Sequence, residues 1–430
     1  MQKFSDVIRS YLLHLWIYIR EMSKWLLVSV LIGILCGLLG SAFHIGVEKA
    51  TIARESHPWI LYLLPAAGLL VTAIYTLFRV NGQNTNDIIS EVQKGQGLSL
   101  RLLPAIFLST VITHLAGGSS GREGAALQMG GTIGFSIGRL LHLDDRDLRT
   151  GTMIGMAAFF SALFGTPLGA TLFAMGVISV GILYHAAFIP CFIASMSAYG
   201  ISLLFGITPT HFVVAAPEIS LVLLLKVSVL AILCSFLSVF FCVSLHQAHK
   251  CFSKLVPSPW LRAFLGGVLL LALTLLIGST DYNGAGMSII RTSIEEGRTV
   301  PWAFLLKLVF TVITLSAGFT GGEVVPSFFI GATFGCIIGP VLGLPAGFSA
   351  ALGLISVFCG CVNCPIASVV LAVELFGVDG LACYALACGL SFVFSGYSGL
   401  YSSQRILYDK LKARYIDVHT NAHHEGREIN

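Results

Sequence analysis

A glycine-rich segment with two adjacent charged residues lies between apolar stretches of this sequence. Residues 117–131 read Gly-Gly-Ser-Ser-Gly-Arg-Glu-Gly-Ala-Ala-Leu-Gln-Met-Gly-Gly, with Arg122 and Glu123 near the middle. Glycine allows sharp turns and a close approach of the backbone to a ligand. A helix that begins here would direct free N–H groups and the positive end of its dipole at an anion. The segment therefore predicts an anion site at a helix N-terminus.

Glu123 is the side chain in this segment that could move a proton. If the flanking stretches cross a membrane, a carboxylate here costs several kcal/mol unless it is paired, hydrated or protonated, and such acids are usually functional. Burial opposes the negative charge, whereas the helix N-terminus favours it. A carboxyl group balanced in this way can exchange protons and compete with an anion for the same amides. The alternative is a structural Arg122–Glu123 pair in a loop at headgroup level.

A second glycine-rich segment has the same arrangement. Residues 318–326 read Gly-Phe-Thr-Gly-Gly-Glu-Val-Val-Pro. Two such helix starts facing each other would form an anion cradle without a buried full positive charge. Glu323 is a second candidate acid, and the alternative is a carboxylate that faces water. For two other polar residues in apolar runs we expect structural roles, a helix-end hydrogen bond for Glu374 and a hydrogen-bonded core position for His114.

Composition places these segments in a membrane. Of the 430 residues, 56% are hydrophobic and 11% charged, and mean hydropathy is +0.87. A soluble domain has roughly 25% charged residues. Long apolar stretches that match the roughly 20 residues of a spanning helix occur near 25–47, 59–79, 151–179, 183–205, 219–247, 260–278 and 381–398. Shorter stretches interrupted by glycine predict helices that end midway, where they line a cavity.

The ends of the chain carry basic residues beside apolar ones. Residues 1–24 predict an amphipathic helix on the membrane surface, and residues 405–414 predict a last basic helix, followed by a short polar tail at 419–430. Basic flanks favour the cytoplasmic side of a plasma membrane for both termini. The net charge of +4 gives no reason to expect a nucleic-acid partner. The spacing of the cysteines is not that of a zinc site, so we expect no metal and no cofactor.

The chain repeats itself with a period of about 201 residues. Thr110-Val-Ile-Thr113 recurs as Thr311-Val-Ile-Thr314 (311 − 110 = 201), and Pro58-Trp59 recurs as Pro259-Trp260 at the same spacing. The transmembrane domain, residues 25–418, therefore has two halves near 22–205 and 219–418. Such halves usually enclose a substrate site near the midplane. The interrupted helices favour inverted repeats in an all-α polytopic fold.

These motifs resemble the CLC family of chloride channels and proton-coupled anion exchangers. Gly121-Arg-Glu-Gly124 is similar to the family's GREGP, with Ala125 in place of proline, and residues 321–326 resemble GGxFxP. Leu400-Tyr401-Ser402 is similar to the family's tyrosine motif, and Gly165-Thr-Pro-Leu and Asn363-Cys-Pro-Ile resemble its paired Asn-Ala-Pro-Leu elements. The resemblance extends over about residues 25–415.

The resemblance implies roles for particular residues and a fold of two inverted repeats. Glu123 would be the gating and proton-transferring glutamate. Backbone amides of Arg122, Gly124, Glu323 and Val324 would line the anion path, and the Tyr401 hydroxyl would contact the central anion. The protein would be a homodimer in the lipid bilayer, with one pathway in each subunit.

Three departures from the family pattern resemble its bacterial fluoride/proton antiporter branch. The serine that contacts chloride is replaced by Asn84, or by Thr85 if the alignment moves by one residue. Val177 occupies the position of the inner proton-handling glutamate, and Glu323 replaces an apolar residue. An Asn amide offers two N–H donors where Ser offers one O–H, which suits a small, tightly hydrated anion.

We therefore expect a proton-coupled fluoride exporter. The alternative within the family is a chloride channel or a chloride/proton exchanger. A membrane-embedded enzyme is a remote alternative, because the spans contain no His-Glu-x-x-His, Gly-x-Gly-Asp or Ser/His arrangement.

Overall fold

Two sets of eight helices follow one another along the chain. A computed structural model describes residues 2–95 and 97–421, with the backbone alone for residues 2–10. Within this part the first set contains α1 (Gln2–Ser56), α2 (Leu64–Leu77), α3 (Thr85–Lys94), α4 (Leu102–Ala116), α5 (Glu123–Leu140), α6 (Asp145–Phe164), α7 (Pro167–Gly176) and α8 (Phe188–Leu204). The second contains α9 (Leu221–Leu255), α10 (Pro259–Ile277), α11 (Met287–Arg291), α12 (Ala303–Ala317), α13 (Val324–Val341), α14 (Ala346–Val362), α15 (Pro365–Phe376) and α16 (Leu381–Phe394).

The two sets are inverted repeats with matching helix lengths. Helices α4 and α12 each have 15 residues, and α5 and α13 each have 18. Gly117 and Gly318 end α4 and α12 with φ of 97° and 101°, a left-handed conformation that glycine adopts without strain. Arg122 and Glu323 are the N-cap residues of α5 and α13. Helices α4 and α5 therefore recur as α12 and α13 with the predicted period of 201 residues.

Glycines bring the central helices into backbone contact. Gly134 on α5 packs against Gly151 on α6, and Gly130 packs against Gly155. In the second half, Gly331 and Gly335 of α13 pack against Gly353 and the backbone of Ser349 on α14. Close packing of this kind is how small residues hold helices together in lipid. It fixes α5 and α13, which begin at the two predicted anion-binding segments.

The outer helices expose their apolar side chains. Six described helical segments are long and apolar enough to cross a membrane: Tyr11–Ser56, Pro58–Leu77, His185–Leu204, Leu221–Leu255, Pro259–Ile277 and Val324–Val341. Shorter apolar helices, such as α4, α7, α12 and α15, lie among them. Residues 1–24, predicted to form a membrane-surface helix that leads into the first span, are in their described part the continuous beginning of α1.

The prediction of a last basic helix was wrong. Residues 405–419 form a hairpin of β2 (Arg405–Tyr408) and β3 (Tyr415–His419), and β2 also pairs in parallel with β1 (Ser179–Val180). The apolar residues Ile406 and Leu407 suit a strand that is paired on both edges. Of the predicted tail, residues 422–430 lie outside the described residues.

Candidate anion and proton site

The two glycine-rich segments meet where α5 and α13 begin. Gly121 N–H donates to Gly322 O and Gly322 N–H donates to Gly121 O, each at 2.7 Å. A side chain on Gly322 would collide with the amide nitrogen of Gly124, and one on Gly121 would contact Val325. Glycine is therefore required on both sides, because the two backbones touch. This pairing places the N-termini of α5 and α13 side by side.

Glu123 lies in the amide cradle formed by both halves. Its side chain is fully buried. Its Oε2 accepts hydrogen bonds from Arg122 N–H at 2.9 Å and from Val325 N–H at 3.3 Å. Its Oε1 has no hydrogen-bond partner among the described residues. The carboxylate thus takes the amides that a small anion would need, and an anion could bind them only if the side chain moved.

Glu323, in the second half of the fold, lies close to the amide cradle around Glu123. Its Oε2 is buried, has no hydrogen-bond partner in the described part of the chain, and lies near Gly124, where a Cβ would be 3.4 Å away. Glu323 and Glu123 are close enough to interact electrostatically. The structure thus brings together the two acids that the sequence suggested.

Tyr401 is the third predicted site residue that lies near Glu123 and Glu323. Its side chain is 1% exposed, and its hydroxyl has no partner within the ranges described. It lies within electrostatic range of both Glu323 and Glu123. A buried hydroxyl left without a partner is costly, so this hydroxyl is a donor whose hydrogen-bonding capacity is not met within the described residues.

Asn84 and Thr85 occupy different environments. Asn84 is exposed and is the N-cap of α3, where its Oδ1 accepts from Asn86 N–H at 2.8 Å. Thr85 is buried, and its hydroxyl accepts from Gln128 Nε2 at 3.1 Å. Gln128 lies on α5, so Thr85 is the residue of the pair that faces this helix. Arg122 directs its guanidinium toward Leu163 O at 3.5 Å.

Hydroxyl groups that the sequence analysis missed line the segment before Glu123. Ser119 N–H donates to Thr314 Oγ1, and the Ser119 hydroxyl bonds with Thr311 Oγ1, each at 3.0 Å. The buried Ser120 hydroxyl has no partner in residues 2–95 and 97–421. The repeated Thr-Val-Ile-Thr could have revealed these contacts, since it places both threonines on one face of α12.

The remaining polar residues have structural roles. Glu374 accepts from the N–H groups of Leu168 and Gly169 at 2.9 and 2.7 Å, which caps α7. His114 is buried, and its Nδ1 bonds with Thr110 O at 2.9 Å. Glu374 has the structural role predicted for it. His114 is a core histidine as predicted, but its Nε2 has no hydrogen-bond partner among the described residues. No group of three or more His, Cys, Asp or Glu side chains that could hold a metal ion occurs among the described residues.

Comparison with known proteins places this arrangement in a family. The voltage gated chloride channel family matches residues 67–396. A chloride/fluoride channel protein of Pseudomonas syringae pv. tomato is 35% identical over 398 residues, which cover 90% of this chain and 88% of that protein. The crystal structure of a CLC-type fluoride/proton antiporter is 32% identical with a TM-score of 0.87, over 89% of this chain and 98% of that one. The fold is shared with a slow cyanobacterial Cl⁻/H⁺ antiporter. That structure has 19% sequence identity and a TM-score of 0.74, over 86% of this chain and 94% of that one.

The fold is that of a multi-pass membrane protein of the CLC kind. The chain belongs to the voltage-gated chloride channel family.

Proposed function

We propose that this protein exports fluoride across the plasma membrane in exchange for protons, with Glu123 as the gate and proton carrier. The observation that carries the proposal is the Glu123 carboxylate, which accepts N–H groups from both halves of the fold. Protonation would weaken its hold on those amides, because the charge-assisted hydrogen bonds become neutral ones. The side chain then leaves and an anion takes its place, so anion and proton movements are coupled.

Three features support fluoride rather than chloride as the transported anion. The relative with 35% identity is named a chloride/fluoride channel protein, and the structure at 32% identity is that of a fluoride/proton antiporter. Val177 leaves no inner glutamate at the position that chloride/proton exchangers use. The site also offers the hydroxyls of Tyr401 and Ser120, both without partners in the described residues, in addition to backbone amides. Such dense donors suit an anion that must lose much of its hydration shell.

Further features of the proposal follow from the family. We infer a homodimer in the lipid bilayer, with both termini in the cytoplasm and one anion pathway in each subunit. Two of the relatives are named a chloride/fluoride channel protein and an H⁺/Cl⁻ exchange transporter, which supports transport as the activity.

Glu323→Gln should reduce proton uptake more than it reduces fluoride efflux. The buried Glu323 oxygen near Gly124 is a second proton acceptor beside Glu123. Removing one of two relay groups should slow proton transfer by about tenfold or more, since positioned acid–base groups contribute 10²–10⁴-fold. Proton and fluoride fluxes would be measured on the same liposomes. The exposed Glu296→Gln is the control, and equal slowing of both fluxes by Glu323→Gln would rule out a relay role.

The function itself is tested with a fluoride gradient and no initial pH gradient. Liposomes containing the purified protein are loaded with fluoride, diluted into fluoride-free buffer and supplied with a potassium ionophore. Outward fluoride movement should draw protons inward against the pH gradient that develops. Fluoride efflux without proton uptake would mean a passive channel.

A further inference from the structure

The loop between β2 and β3 places a lysine among the ends of two helices. Lys410 Nζ donates to Asn363 Oδ1 at 2.6 Å, to Phe392 O at 2.8 Å and to Ser395 Oγ at 3.0 Å. The ammonium also lies 4.3 Å from the centre of the Phe392 ring. Asn363 is the C-cap of α14 and Ser395 is the C-cap of α16. The cation therefore complements the negative ends of two helix dipoles.

The surroundings of Lys410 oppose a positive charge on its side chain. It lies outside the membrane helices, and burial lowers its pKa to about 7. No carboxylate pairs with Lys410 among the described residues. Desolvation without an ion-pair partner is unfavourable. The ammonium must therefore be held by its three neutral acceptors and the ring.

A chain of hydrogen bonds leads from Lys410 to Tyr401. Asn363, whose Oδ1 accepts from Lys410, donates through Nδ2 to Gln404 Oε1 at 3.2 Å and to Ser398 O at 2.9 Å. Gln404 donates through Nε2 to Val362 O at 2.8 Å, and its N–H donates to Tyr401 O at 3.0 Å. Asn363 and Gln404 are each at most 1% exposed, so bulk water does not reach these hydrogen bonds.

The same carbonyl of Tyr401 is also held by Thr420, the residue that follows β3. The Thr420 hydroxyl donates to Tyr401 O, and Thr420 N–H donates to Gln404 O at 3.0 Å. Leu400 N–H donates to Cys361 O at 2.8 Å, which ties this turn to α14. The backbone of Tyr401 is thus fixed on three sides, whereas its hydroxyl has no partner in the part of the chain described.

We propose that Lys410 is a positioning residue for anion selectivity, which fixes the Tyr401 hydroxyl through Asn363 and Gln404. The ammonium dictates the orientation of the Asn363 amide: Oδ1 must face the cation, so Nδ2 must face Gln404. Without the cation, this amide can rotate and the turn at 401–404 loses a fixed support. A small anion depends on donors held at short distance, so the loss affects fluoride more than chloride. The proposal rests on the proposed anion role of Tyr401.

A double-mutant cycle on the fluoride-to-chloride efflux ratio tests this proposal. Lys410→Met should lower the ratio about fivefold, the effect of weakening one hydrogen bond. Tyr401→Phe should lower it at least as much, and the double variant should match Tyr401→Phe alone, since coupled residues are not additive. Lys412→Met, exposed on the same loop, should leave the ratio unchanged.

The fluoride-to-chloride efflux ratio distinguishes a positioning effect from a loss of folded protein. A smaller number of active molecules would slow the efflux of both anions equally and leave the ratio unchanged. An unchanged ratio in Lys410→Met, or additive effects of the two substitutions, would overturn the proposal. If Lys410→Met does not yield folded protein, Lys410→Gln, which removes the positive charge but keeps a polar side chain, enters the same cycle with the same expected fall in the ratio. The wild-type ratio alone decides whether fluoride is preferred, so failure of the proposed function is distinguished from failure of the Lys410 proposal.

Discussion

Glu123→Gln should abolish proton uptake in liposomes while anion efflux continues. Glutamine keeps the size of the side chain, but it carries no titratable proton and cannot offer a carboxylate to the N–H groups of Arg122 and Val325. The amide cradle then stays open to an anion. Proton uptake should fall by about 10²-fold or more, the range expected when a positioned proton-transfer group is lost.

The measurement records proton uptake and fluoride efflux in parallel, with Glu296→Gln as the matched control. Glu296 is exposed at the end of the π-helical turn Thr292–Glu296, which follows α11, so its neutralisation changes the net charge equally without touching the cradle. If Glu123→Gln took up protons at the wild-type rate, Glu123 would be the structural partner of Arg122 that the sequence also allowed.

Gly134→Ala should destabilise the protein, although it adds a single methyl group. A Cβ at position 134 would overlap the backbone carbonyl of Gly151. Because that obstacle is backbone, α5 and α6 must move apart, at a cost of about 3 kcal/mol. The melting temperature of the detergent-solubilised protein should fall, and less protein should elute as a single species in size-exclusion chromatography.

Gly46→Ala provides the matched control for this substitution. Gly46 also lies within a helix, and a Cβ there would meet Val111 Cγ2 at 3.5 Å, an ordinary contact. Alanine is favoured over glycine in a helix by up to about 1 kcal/mol, so Gly46→Ala should be as stable as the wild type or more so. Equal melting temperatures for the two variants would show that α5 and α6 can separate freely.

The position of the site could be predicted from the sequence because local sequence features determine where the helices around it end and begin. The glycine-rich break before Glu123 ends one helix and begins another, and the same break recurs before Val324. The repeat of 201 residues follows from the same regularity. The pairing of Gly121 with Gly322 could not be predicted, since it depends on how two distant segments pack. Neither could the exposure of Asn84 and the burial of Thr85, which depend on the direction in which α3 leaves its N-cap.

The C-terminal hairpin was mispredicted for a related reason. The mixture of basic and apolar residues at 405–414 is typical of a helix at the membrane surface, but β2 is stabilised by pairing with Ser179 and Val180, over 200 residues earlier. Lys410 was interpreted as part of a basic flank that sets topology. Its contacts with Asn363, Phe392 and Ser395 arise only when the hairpin folds back on the ends of α14 and α16.

The most direct test of fluoride export compares fluoride and chloride efflux from the same preparation of wild-type protein in liposomes. The potassium ionophore and internal salt concentration are kept equal, and proton uptake is recorded in each case. The donors around Glu123 and Tyr401 predict that fluoride leaves at least about tenfold faster than chloride, a difference of roughly 1.4 kcal/mol, and that its exit draws protons inward. Chloride efflux as fast as fluoride efflux, or faster, would contradict the account and indicate a chloride transporter.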